Sequence, residues 1–381
     1  MHRTFRYPLR PNQAQEAELE SWRVACQRLY NGALEHRIGA WRWVKAAKAR
    51  GVPKEGLPRP VGYMSQTAEL TVLRAADPDW AAIPVTIARS SLLRLDKAFK
   101  AFFRRVKAGE KPGFPRFRAR DRYDSFGIGR VAVSGDRVHV PKLGPVRFHQ
   151  YRPLRGKVLD VTIRSEAGKW FVCFACDLGD APAKVAVRPA AMVGIDMGLT
   201  TLVTVSDGTE VPNPRFGKDA AALLARRQRA LASKRRGSQS RRRAKLLVGK
   251  AHALIQNQRK DHARKLAVFF CKKYDLIAHE DLNIRGMVHG NLARSIHDAA
   301  WGVFIHALTC KAEEAGKWVV PVDPRGTSQR CSACGTVVPK DLSVRVHDCP
   351  ACGLRLGRDL NAAINVLALG RNAATVAEGS A

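Results

Sequence analysis

Three acidic residues stand in parts of the sequence where an unpaired charge would be costly. Asp196 lies in the apolar, glycine-flanked segment 193–199, Glu280 follows an apolar stretch typical of a strand, and Asp359 begins the last helical pattern. A carboxylate in such surroundings requires a cation or a metal beside it. Three carboxylates that converge from two strands and a helix would supply the oxygen ligands of paired Mg²⁺ or Mn²⁺ ions, one of which would activate a water molecule while the other stabilises the leaving oxygen.

Periodicity predicts how these acids are oriented. Successive residues of a strand point to opposite faces of a sheet, so Asp281 should face away from Glu280, and only one of the two should join Asp196. Small apolar side chains share the helical face of Asp359 and would let it approach a sheet closely. These side chains are Ala362, Ala363 and Val366. Taken one at a time, each acid is equally well explained as a strand-end or helix-cap residue.

Four cysteines form the strongest metal-binding pattern. Cys331 and Cys334 are separated from Cys349 and Cys352 by fourteen residues, and a glycine directly follows each pair. Two such knuckles turn four thiolates toward one point, as tetrahedral Zn²⁺ requires. The pattern predicts a structural zinc site with no open position for chemistry, and an iron–sulfur cluster is the alternative that it leaves open.

Cys173 and Cys176 repeat the two-residue spacing in a different setting. They belong to a strand-like segment, and no glycine follows them to form a knuckle. Residues three apart in a strand point to opposite faces, so we expect burial in the protein interior and no shared metal. The nine cysteines of the chain therefore indicate reducing surroundings and one metal site, without a disulfide framework.

The charge of the chain points to a polyanionic partner. Lys and Arg number 66 against 33 Asp and Glu, a formal net charge of +33, which is far more than solubility requires. Segment 226–265 holds fifteen basic residues and one acid, so it lacks the acids that balance a solvated helix and should lie against phosphates. The predicted contacts are Arg226, Arg227, Lys234, Arg235, Arg236, Arg241, Arg242, Arg243 and Lys245. A disordered basic arm is the alternative, because Gly237 and Ser238 interrupt the helical pattern.

A second basic segment precedes the predicted strands. Phe114, Phe117 and Tyr123 are interleaved there with arginines, a mixture that suits contacts with phosphates and with stacked bases. The predicted contacts are Arg116, Arg118, Arg120 and Arg122. A membrane surface is the competing polyanion, but the first ten residues contain no apolar signal core, and no apolar run approaches the roughly 20 residues of a spanning helix.

The first half of the chain changes from helical to strand-like patterns. A chain of 381 residues should form two to four compact units. Apolar residues at spacings of three and four predict helices over 12–42 and 85–106, and the Pro- and Gly-rich segment 50–79 is interpreted as a connector. From 126 to 178, short alternating runs separated by Gly and Pro predict antiparallel strands in a small barrel or sheet.

The second half alternates strands and helices. Apolar strands are predicted at 193–205, 274–278 and 318–322, with a helix over 299–315 that Gly316 ends and a final helix over 360–369. This order predicts a mixed α/β sheet. Residues 371–381 are predicted to form a disordered tail.

Five motifs follow one another along the second half. They are Gly-Ile-Asp-Met-Gly at 194–198, His-Glu-Asp-Leu-Asn-Ile at 279–284, Thr-Ser-Gln-Arg-Cys-Ser-Ala-Cys-Gly at 327–335, the second knuckle at 349–353 and Arg-Asp-Leu-Asn-Ala-Ala at 358–363. In order and spacing the chain resembles the TnpB family of transposon-encoded, RNA-guided nucleases and, through it, the compact type V CRISPR effectors. Met197 stands where that family has leucine, a conservative change.

The resemblance implies a multidomain α+β protein. It implies a RuvC nuclease domain of ribonuclease H-like fold over 191–324 and 357–370, with a zinc ribbon inserted at 325–356. It also implies a β-barrel wedge domain over 1–10 and 126–190, and a helical recognition domain over 11–125. The family's three nuclease acids map onto Asp196, Glu280 and Asp359, so the resemblance implies metal-dependent cutting of DNA.

The resemblance also implies the partners. Members of this family bind a guide RNA encoded near their own gene, recognise a short motif beside the target, and cut double-stranded DNA. That implies a cytoplasmic, nucleoid-associated prokaryotic protein that does not act at a membrane. Two other functions stay open. A nuclease-inactive, RNA-guided regulator is disfavoured because all three acids are present, and a transposase would join strands without a guide RNA.

Overall fold

The computed structural model describes residues 1–341 and 343–378. The chain divides into two compact units, Met1–Gly179 and the part that begins at Asp180, which is within the number expected from its length. None of the helices in the described ranges is long and apolar enough to cross a membrane.

The first unit contains a seven-stranded antiparallel sheet. Its strands are β1 (His2–Arg10), β2 (Ser125–Gly129), β3 (Val133–Ser134), β4 (Arg137–Val140), β5 (Gly144–Phe148), β6 (Lys157–Glu166) and β7 (Lys169–Asp177). They lie in the order β2-β6-β7-β1-β5-β4-β3, so the start of the chain is an inner strand. Among the described residues no pairing joins β2 to β3, and the two-residue β3 is too short to close the sheet. A sheet is therefore confirmed and a barrel is not.

The hairpin of β6 and β7 illustrates how the sequence forms this sheet. Its turn residues Ala167 and Gly168 both have positive φ, 51° and 76°, as two-residue hairpin turns require. Every second residue of β7 from Trp170 onward is buried, including Cys176, whereas Cys173 is half-buried on the other face. The predicted opposite orientation of the two cysteines is confirmed, and only Cys176 is fully interior.

Four helices accompany this sheet. They are α1 (Gln13–Ala49), α2 (Tyr63–Ala76), α3 (Pro78–Ala82) and α4 (Val85–Lys107). The two predicted helices are confirmed as α1 and α4, and Asn12 and Gln15 form a capping box at the start of α1. The interpretation of 50–79 as a connector is wrong, because α2 and α3 form there. Its Pro and Gly residues are concentrated between 51 and 62, whereas 63–76 has none, and Gln66 and Leu70 bury one face of α2.

The second unit is built on a five-stranded mixed sheet, as predicted. Its strands are β8 (Met192–Met197), β9 (Thr201–Val205), β10 (Glu210–Pro212), β11 (Leu276–Glu280) and β12 (Trp318–Val322), in the order β10-β9-β8-β11-β12. β8, β11 and β12 are parallel to one another. β9 and β10 are antiparallel to their neighbours.

Seven α-helices are found among the described residues of this unit. They are α5 (Phe216–Asp219), α6 (Ala221–Ala232), α7 (Gln239–Lys273), α8 (Ile284–Met287), α9 (Ala293–Ala299), α10 (Trp301–Glu314) and α11 (Arg358–Glu378). The basic segment 226–265 lies in α6 and α7, which pack against each other, so the alternative of a disordered arm is wrong. The predicted helix over 299–315 is α10, and Gly316, with a φ of 64°, follows its end.

The last helix is longer than predicted. α11 begins at Arg358 and continues to Glu378, where the sequence analysis predicts a disordered tail from 371. No Gly or Pro interrupts 371–378, so the helix can continue through it. The rest of the predicted tail, 379–381, lies outside the described residues.

The mixed sheet separates two apolar layers. One face packs against α7 and α10 through a core that includes Ile195 and Ile277. The other face packs against α11 through a core that includes Ala278 and Val366. Alternate residues of β8 and β11 therefore point to different layers.

The cysteine segment between β12 and α11 has little regular structure. Its described residues form one antiparallel hairpin, β13 (Val346–Asp348) with β14 (Arg355–Gly357). None of the apolar core clusters found among the described residues includes a side chain from 325–357. Cys331 and Cys349 are buried but belong to none of these clusters.

Candidate active site and cysteine cluster

Strand register places Asp196 and Glu280 side by side. Gly194 pairs with Ala278, and the next residue of β8 pairs with His279, so Asp196 and Glu280 follow at the same level of neighbouring parallel strands. Ala278 belongs to the face that packs against α11. Since side chains alternate along a strand, Glu280 and Asp196 point to that face as well.

Helix α11 brings the third acid to the same face. Its backbone touches β8 at Gly194, where a methyl group would lie 2.2 Å from the carbonyl oxygen of Ala363 and 2.4 Å from the amide nitrogen of Leu367. Glycine alone fits so close an approach. Asp359 precedes Ala363 by about one helical turn, and Asp196 follows Gly194 by two strand residues, so the two acids meet at the same end of this contact.

The three carboxylates act on one another electrostatically. The pKa of Asp196 is raised to about 8, first by burial and then by the negative charges of Glu280 and Asp359, while Arg358 opposes the shift. Burial and the charge of Asp359 also raise the pKa of Glu280, against a hydrogen bond from Thr327. Such surroundings disfavour ionised acids unless a cation is near. The site is therefore arranged to bind positive charge.

The acids are spaced more widely than the ligands of one small ion. In the described part of the chain, only the four cysteines bring three or more His, Cys, Asp or Glu ligand atoms within 4.8 Å of one another. Oxygens around a single Mg²⁺ at about 2.1 Å are at most about 4.2 Å apart, whereas paired ions lie about 3.5 to 4 Å from each other and need a wider ligand set. The all-oxygen set fits hard divalent cations.

The neighbours of Glu280 in the chain lie outside this set. Asp281 is exposed, which confirms that only Glu280 of the two faces Asp196. His279 is buried, and its Nδ1 lies 2.9 Å from the carbonyl oxygen of Glu280. Burial lowers the pKa of His279, so its imidazole is held neutral.

The four cysteines come together as predicted. The Sγ atoms of Cys331 and Cys352 are 3.6 Å apart, and so are those of Cys334 and Cys349. These separations are too long for disulfide bonds of about 2.05 Å. They match the sulfur–sulfur edges, about 3.8 Å, of a tetrahedron with Zn–S bonds of about 2.3 Å, so the residues fit a zinc ion.

Sequence reasoning missed a threonine that touches the acid site. Thr327 is buried, and its hydroxyl donates to Oε1 of Glu280 at 2.5 Å. The same hydroxyl lies 3.0 Å from the carbonyl oxygen of Pro324, so the loop before the first knuckle fixes one oxygen of Glu280. Thr327 begins the motif at 327–335, but nothing in that motif indicates that its hydroxyl would reach Glu280.

Two asparagines that sequence reasoning also missed fasten this loop to α11. The Asn365 amide donates to the carbonyl oxygens of Thr327, at 2.8 Å, and of Arg330, at 2.7 Å. Asn361 donates to the same Arg330 oxygen at 2.7 Å and accepts from the Ser332 N–H at 2.9 Å. A signal for them exists, because two amides four residues apart among small apolar residues share one buried helix face and need partners there.

The first group of predicted phosphate contacts lies in the loop after α4. The loop backbone is fixed to α1: the amide N–H and the carbonyl of Arg118 bond the Asn31 side chain, and the Arg23 guanidinium donates to the Tyr123 carbonyl at 2.5 Å. Four exposed arginine side chains project from this fixed backbone, namely Arg116, Arg118, Arg120 and Arg122. Arg120 also forms an ion pair with Glu20 at 3.4 Å.

The second group lies along the hairpin of α6 and α7. Arg227 donates to the carbonyl of Leu247, and Arg241 donates to the carbonyls of Leu231 and Lys234, each at 2.8 Å. These two arginines therefore hold the hairpin together. The other predicted contacts are exposed, namely Arg226, Lys234, Arg235, Arg236, Arg242, Arg243 and Lys245.

Three family models match the chain. The model described as "Probable transposase" matches residues 175–290, the "Cas12f1-like, TNB domain" matches 301–366, and a "Helix-turn-helix domain" matches 1–43. The first match includes Asp196 and Glu280. The second includes Asp359 and the four cysteines.

Related proteins match nearly the whole chain. A "Putative RNA-guided DNA endonuclease" of Streptomyces pristinaespiralis is 33% identical over 99% of this chain and 91% of its own length. The "Putative RNA-guided DNA endonuclease InsQ" of Escherichia coli (strain K12) is 30% identical over 96% of this chain and 92% of its own.

The fold is also found among solved structures. The protein in a cryo-EM structure of a Cas12f1–sgRNA–target DNA complex aligns with a TM-score of 0.57 at 14% identity, covering 93% of this chain and 83% of that one. This likeness concerns the fold alone. Together with the full-length relatives and the ordered motifs, it leads to one assignment: the chain belongs to the TnpB family.

Proposed function

We propose that this protein is an RNA-guided DNA endonuclease that hydrolyses phosphodiesters with divalent metal ions held by Asp196, Glu280 and Asp359. One observation carries the proposal: the three acids meet on one face of the mixed sheet, where burial and mutual charge raise the pKa of Asp196 and of Glu280. The names of relatives that match almost the whole chain support the same reaction and the same partners.

The chemistry assigns a task to each of these residues. Paired Mg²⁺ or Mn²⁺ ions supply an activated water and stabilise the leaving oxygen when they are bound. Asp196 releases its proton as cations bind, because its raised pKa disfavours the bare carboxylate. Glu280 offers its ligand oxygens in one orientation, since Thr327 fixes Oε1. Asp359 completes the set from the first turn of α11.

The proposed nuclease domain is a RuvC domain of ribonuclease H-like fold over 191–324 and 357–370. The antiparallel β8, β9 and β10 beside the parallel β11 and β12 support it. So do the acids on adjacent strands and on a helix packed across them. We propose a zinc ribbon over 325–356, a helical recognition domain over 11–125, and a wedge domain that combines 1–10 with 126–190.

The cysteine cluster is proposed to hold one structural Zn²⁺. Four thiolates at 3.6 Å contacts fill every position of a tetrahedral ion, which leaves none for water or substrate. The cysteines therefore take no part in the cutting step. Their ion stabilises a segment that has little apolar core of its own.

The proposed partners are a guide RNA encoded near the gene and a double-stranded DNA target beside a short recognised motif. The exposed arginines after α4 and the hairpin of α6 and α7 support contacts with phosphates. Such partners correspond to a cytoplasmic, nucleoid-associated protein.

The test begins with the RNA that copurifies with the protein. This RNA is sequenced, and a plasmid library randomised beside the matching target is offered to the purified complex with Mg²⁺. We expect cuts by the wild type and none by Asp196→Ala carrying the same RNA. Binding without cutting by the wild type would support the regulator, and joined strands without a guide RNA would support the transposase that one family description names.

A further inference from the structure

An aromatic cleft lies in the first unit, beside the basic loop after α4, with which it shares Phe114. It has a volume of about 1290 Å³ and opens between the second half of α1, residues 57–61 and the middle of α4. Phe99 and Phe103 stack there with ring centres 6.3 Å apart, and Phe114 meets Phe99 edge-on at 5.6 Å. Trp41 and Trp43 line the other side. We call this feature the tryptophan cleft.

The exposure of these rings is unusual for a folded protein. The chain has seven tryptophans, and only the two in the cleft are exposed, Trp41 by 62% and Trp43 by 49%. Phe103 and Phe114 are exposed by 61% and 48%. Contiguous aromatic surface of this kind marks a place where a partner binds.

The charged side chains around the cleft indicate which class of partner would bind there. The cationic side chains that line it are Arg37, Arg42, Lys48, Arg59 and Lys100. Asp96 is the one carboxylate of the lining in this described range, and it is already paired with Arg37 at 3.6 Å and Lys100 at 3.0 Å. An excess of fixed positive charge around aromatic rings suits an anionic ligand that also carries flat apolar groups.

A buried arginine supplies a second and independent observation. Arg37 is 9% exposed and lines the cleft. Its Nε donates to Oε1 of Gln66 at 2.9 Å, but Nη2 has no hydrogen-bond partner among the described residues. Buried donors in folded proteins are nearly always satisfied. Nη2 is itself closed off from solvent, so an oxygen of a ligand in the cleft would complete this guanidinium once a neighbouring side chain moves aside.

We propose that the tryptophan cleft binds unpaired nucleotides of a nucleic-acid strand, with bases stacked on the tryptophan and phenylalanine rings and phosphates held by the surrounding arginines and lysines. A second copy of the chain is a poor occupant, because each copy carries a net charge of +33 and would bring cations to cations. The inference rests on the proposed function for the identity of the ligand. Its test measures binding without cutting, so the two can fail separately.

The experiment compares stacking with charge in the full-length protein. Short fluorescently labelled oligothymidylate and oligouridylate are titrated over a range of salt concentrations, with the anisotropy of the label as the binding signal. The double change Trp41→Ala with Trp43→Ala should weaken binding at least about tenfold, because each stacked base contributes 1–3 kcal/mol or roughly 5- to 150-fold, and should leave the slope of log affinity against log salt unchanged. Arg42→Gln with Arg59→Gln should reduce that slope by about 1.4.

Two further variants control for folding and for surface effects. Trp41→Phe with Trp43→Phe keeps a stacking surface and should retain most of the affinity. Met64→Ala with Val72→Ala removes exposed apolar side chains of the same unit outside the cleft and should bind like the wild type. Tighter binding of one of the two probes identifies the strand as RNA or DNA. The proposal would be overturned if the wild type and the Trp41→Ala, Trp43→Ala protein bound the oligonucleotides with equal affinity. It would also be overturned if the double substitution changed only the oligomeric state of the protein.

Discussion

The two candidate metal sites of the second unit differ in what holds their ligands together. The acids are carried by strands and a helix of a packed sheet, so the fold brings them together although burial and repulsion raise the pKa of Asp196 to about 8. The cysteines come from two knuckles in a segment with one small described hairpin and no apolar core cluster. The fold assembles the acid site, whereas on the proposed function a bound zinc ion organises the cysteine segment.

This difference predicts opposite responses to metal loss. Removing cations from the acid site leaves the sheet intact but restores the repulsion between the carboxylates. The free energy of unfolding should therefore fall by an amount that depends on pH. Removing zinc from the cysteines removes what organises the segment. Hydrogen bonds connect the cysteine segment to Glu280 and to α11 through Thr327, Asn361 and Asn365. These bonds then determine how strongly the loss of zinc changes the geometry of the acid site.

The largest effect is expected from the cysteine cluster. Cys349→Ser removes one of four zinc ligands, and metal binding at such sites contributes on the order of 10 kcal/mol to folding. The variant should lose its zinc, and residues 325–357 should become sensitive to protease while the rest of the second unit resists. Elemental analysis and limited proteolysis measure both. Cys173→Ser, half-buried in β7, is the matched control and should keep its zinc, and a protease-resistant, zinc-free Cys349→Ser segment would contradict the comparison.

The next effect is expected at Asp196. Asp196→Asn should slow cutting by at least about a thousandfold, which corresponds to the several kcal/mol of transition-state stabilisation that the ions supply. The same variant should be more stable than the wild type at neutral pH in buffer without added divalent cations, because an asparagine at this buried position needs no proton uptake on folding. Cleavage rates test the predicted loss of activity, and thermal unfolding tests the predicted gain in stability. A variant less stable than the wild type would contradict the proposed repulsion between the carboxylates.

The sign of the pH dependence follows from the raised pKa. Between about pH 4 and pH 8 the folded wild type keeps a proton on Asp196 that the unfolded chain has lost. Folding therefore takes up a proton, and stability falls as pH rises through this range. Asp196→Asn should show a shallower fall, and added Mg²⁺ should flatten the wild-type curve in the same way. Parallel melting curves for both proteins would contradict this prediction.

A smaller effect is expected where α11 meets β8. Gly194→Ala would set a methyl group 2.2 Å from the Ala363 carbonyl oxygen, so the helix must move away and the protein should lose about 3 kcal/mol of stability. Gly249→Ala in α7 is the matched control, because no atom lies within 4 Å of the added methyl group and helix propensity should add up to about 1 kcal/mol. Denaturant unfolding of both variants measures the difference, and equal stabilities would contradict the close contact.

The smallest effect is expected at the link between the two sites. Thr327→Val keeps the shape of the side chain but removes the hydrogen bond to Glu280, which should weaken Mn²⁺ binding about tenfold, since hydrogen bonds to charged groups contribute about 1.5 to 3 kcal/mol. Thr327→Ser should retain the affinity. Titration of the zinc-loaded protein with Mn²⁺ measures these affinities. Identical affinities of the valine variant and the wild type would mean that the hydrogen bond from Thr327 does not support metal binding by Glu280.

The sequence predicts those parts of the molecule that local patterns determine. Asp196, Glu280 and the four cysteines are each marked by their immediate neighbours, and the alternation rule correctly separates Glu280 from Asp281. The helix at 63–76 was missed because the prolines and glycines before it dominate the composition of the segment. Thr327 could not be predicted as a partner of Glu280, since 46 residues lie between them in the chain and it is the pairing of β11 with β12, which sets Val322 beside Glu280, that brings the following loop to this acid.

Asp359 is the last of the three acids to leave the ribosome. Translation has by then produced both acid-bearing strands, the basic hairpin and the cysteine segment, while Gly194 still waits for the helix that covers it. On the proposed function, a chain that terminates before codon 359 lacks both the third acid and the helix that covers one face of the mixed sheet. Premature termination would then leave apolar side chains of that sheet uncovered and would yield no active nuclease.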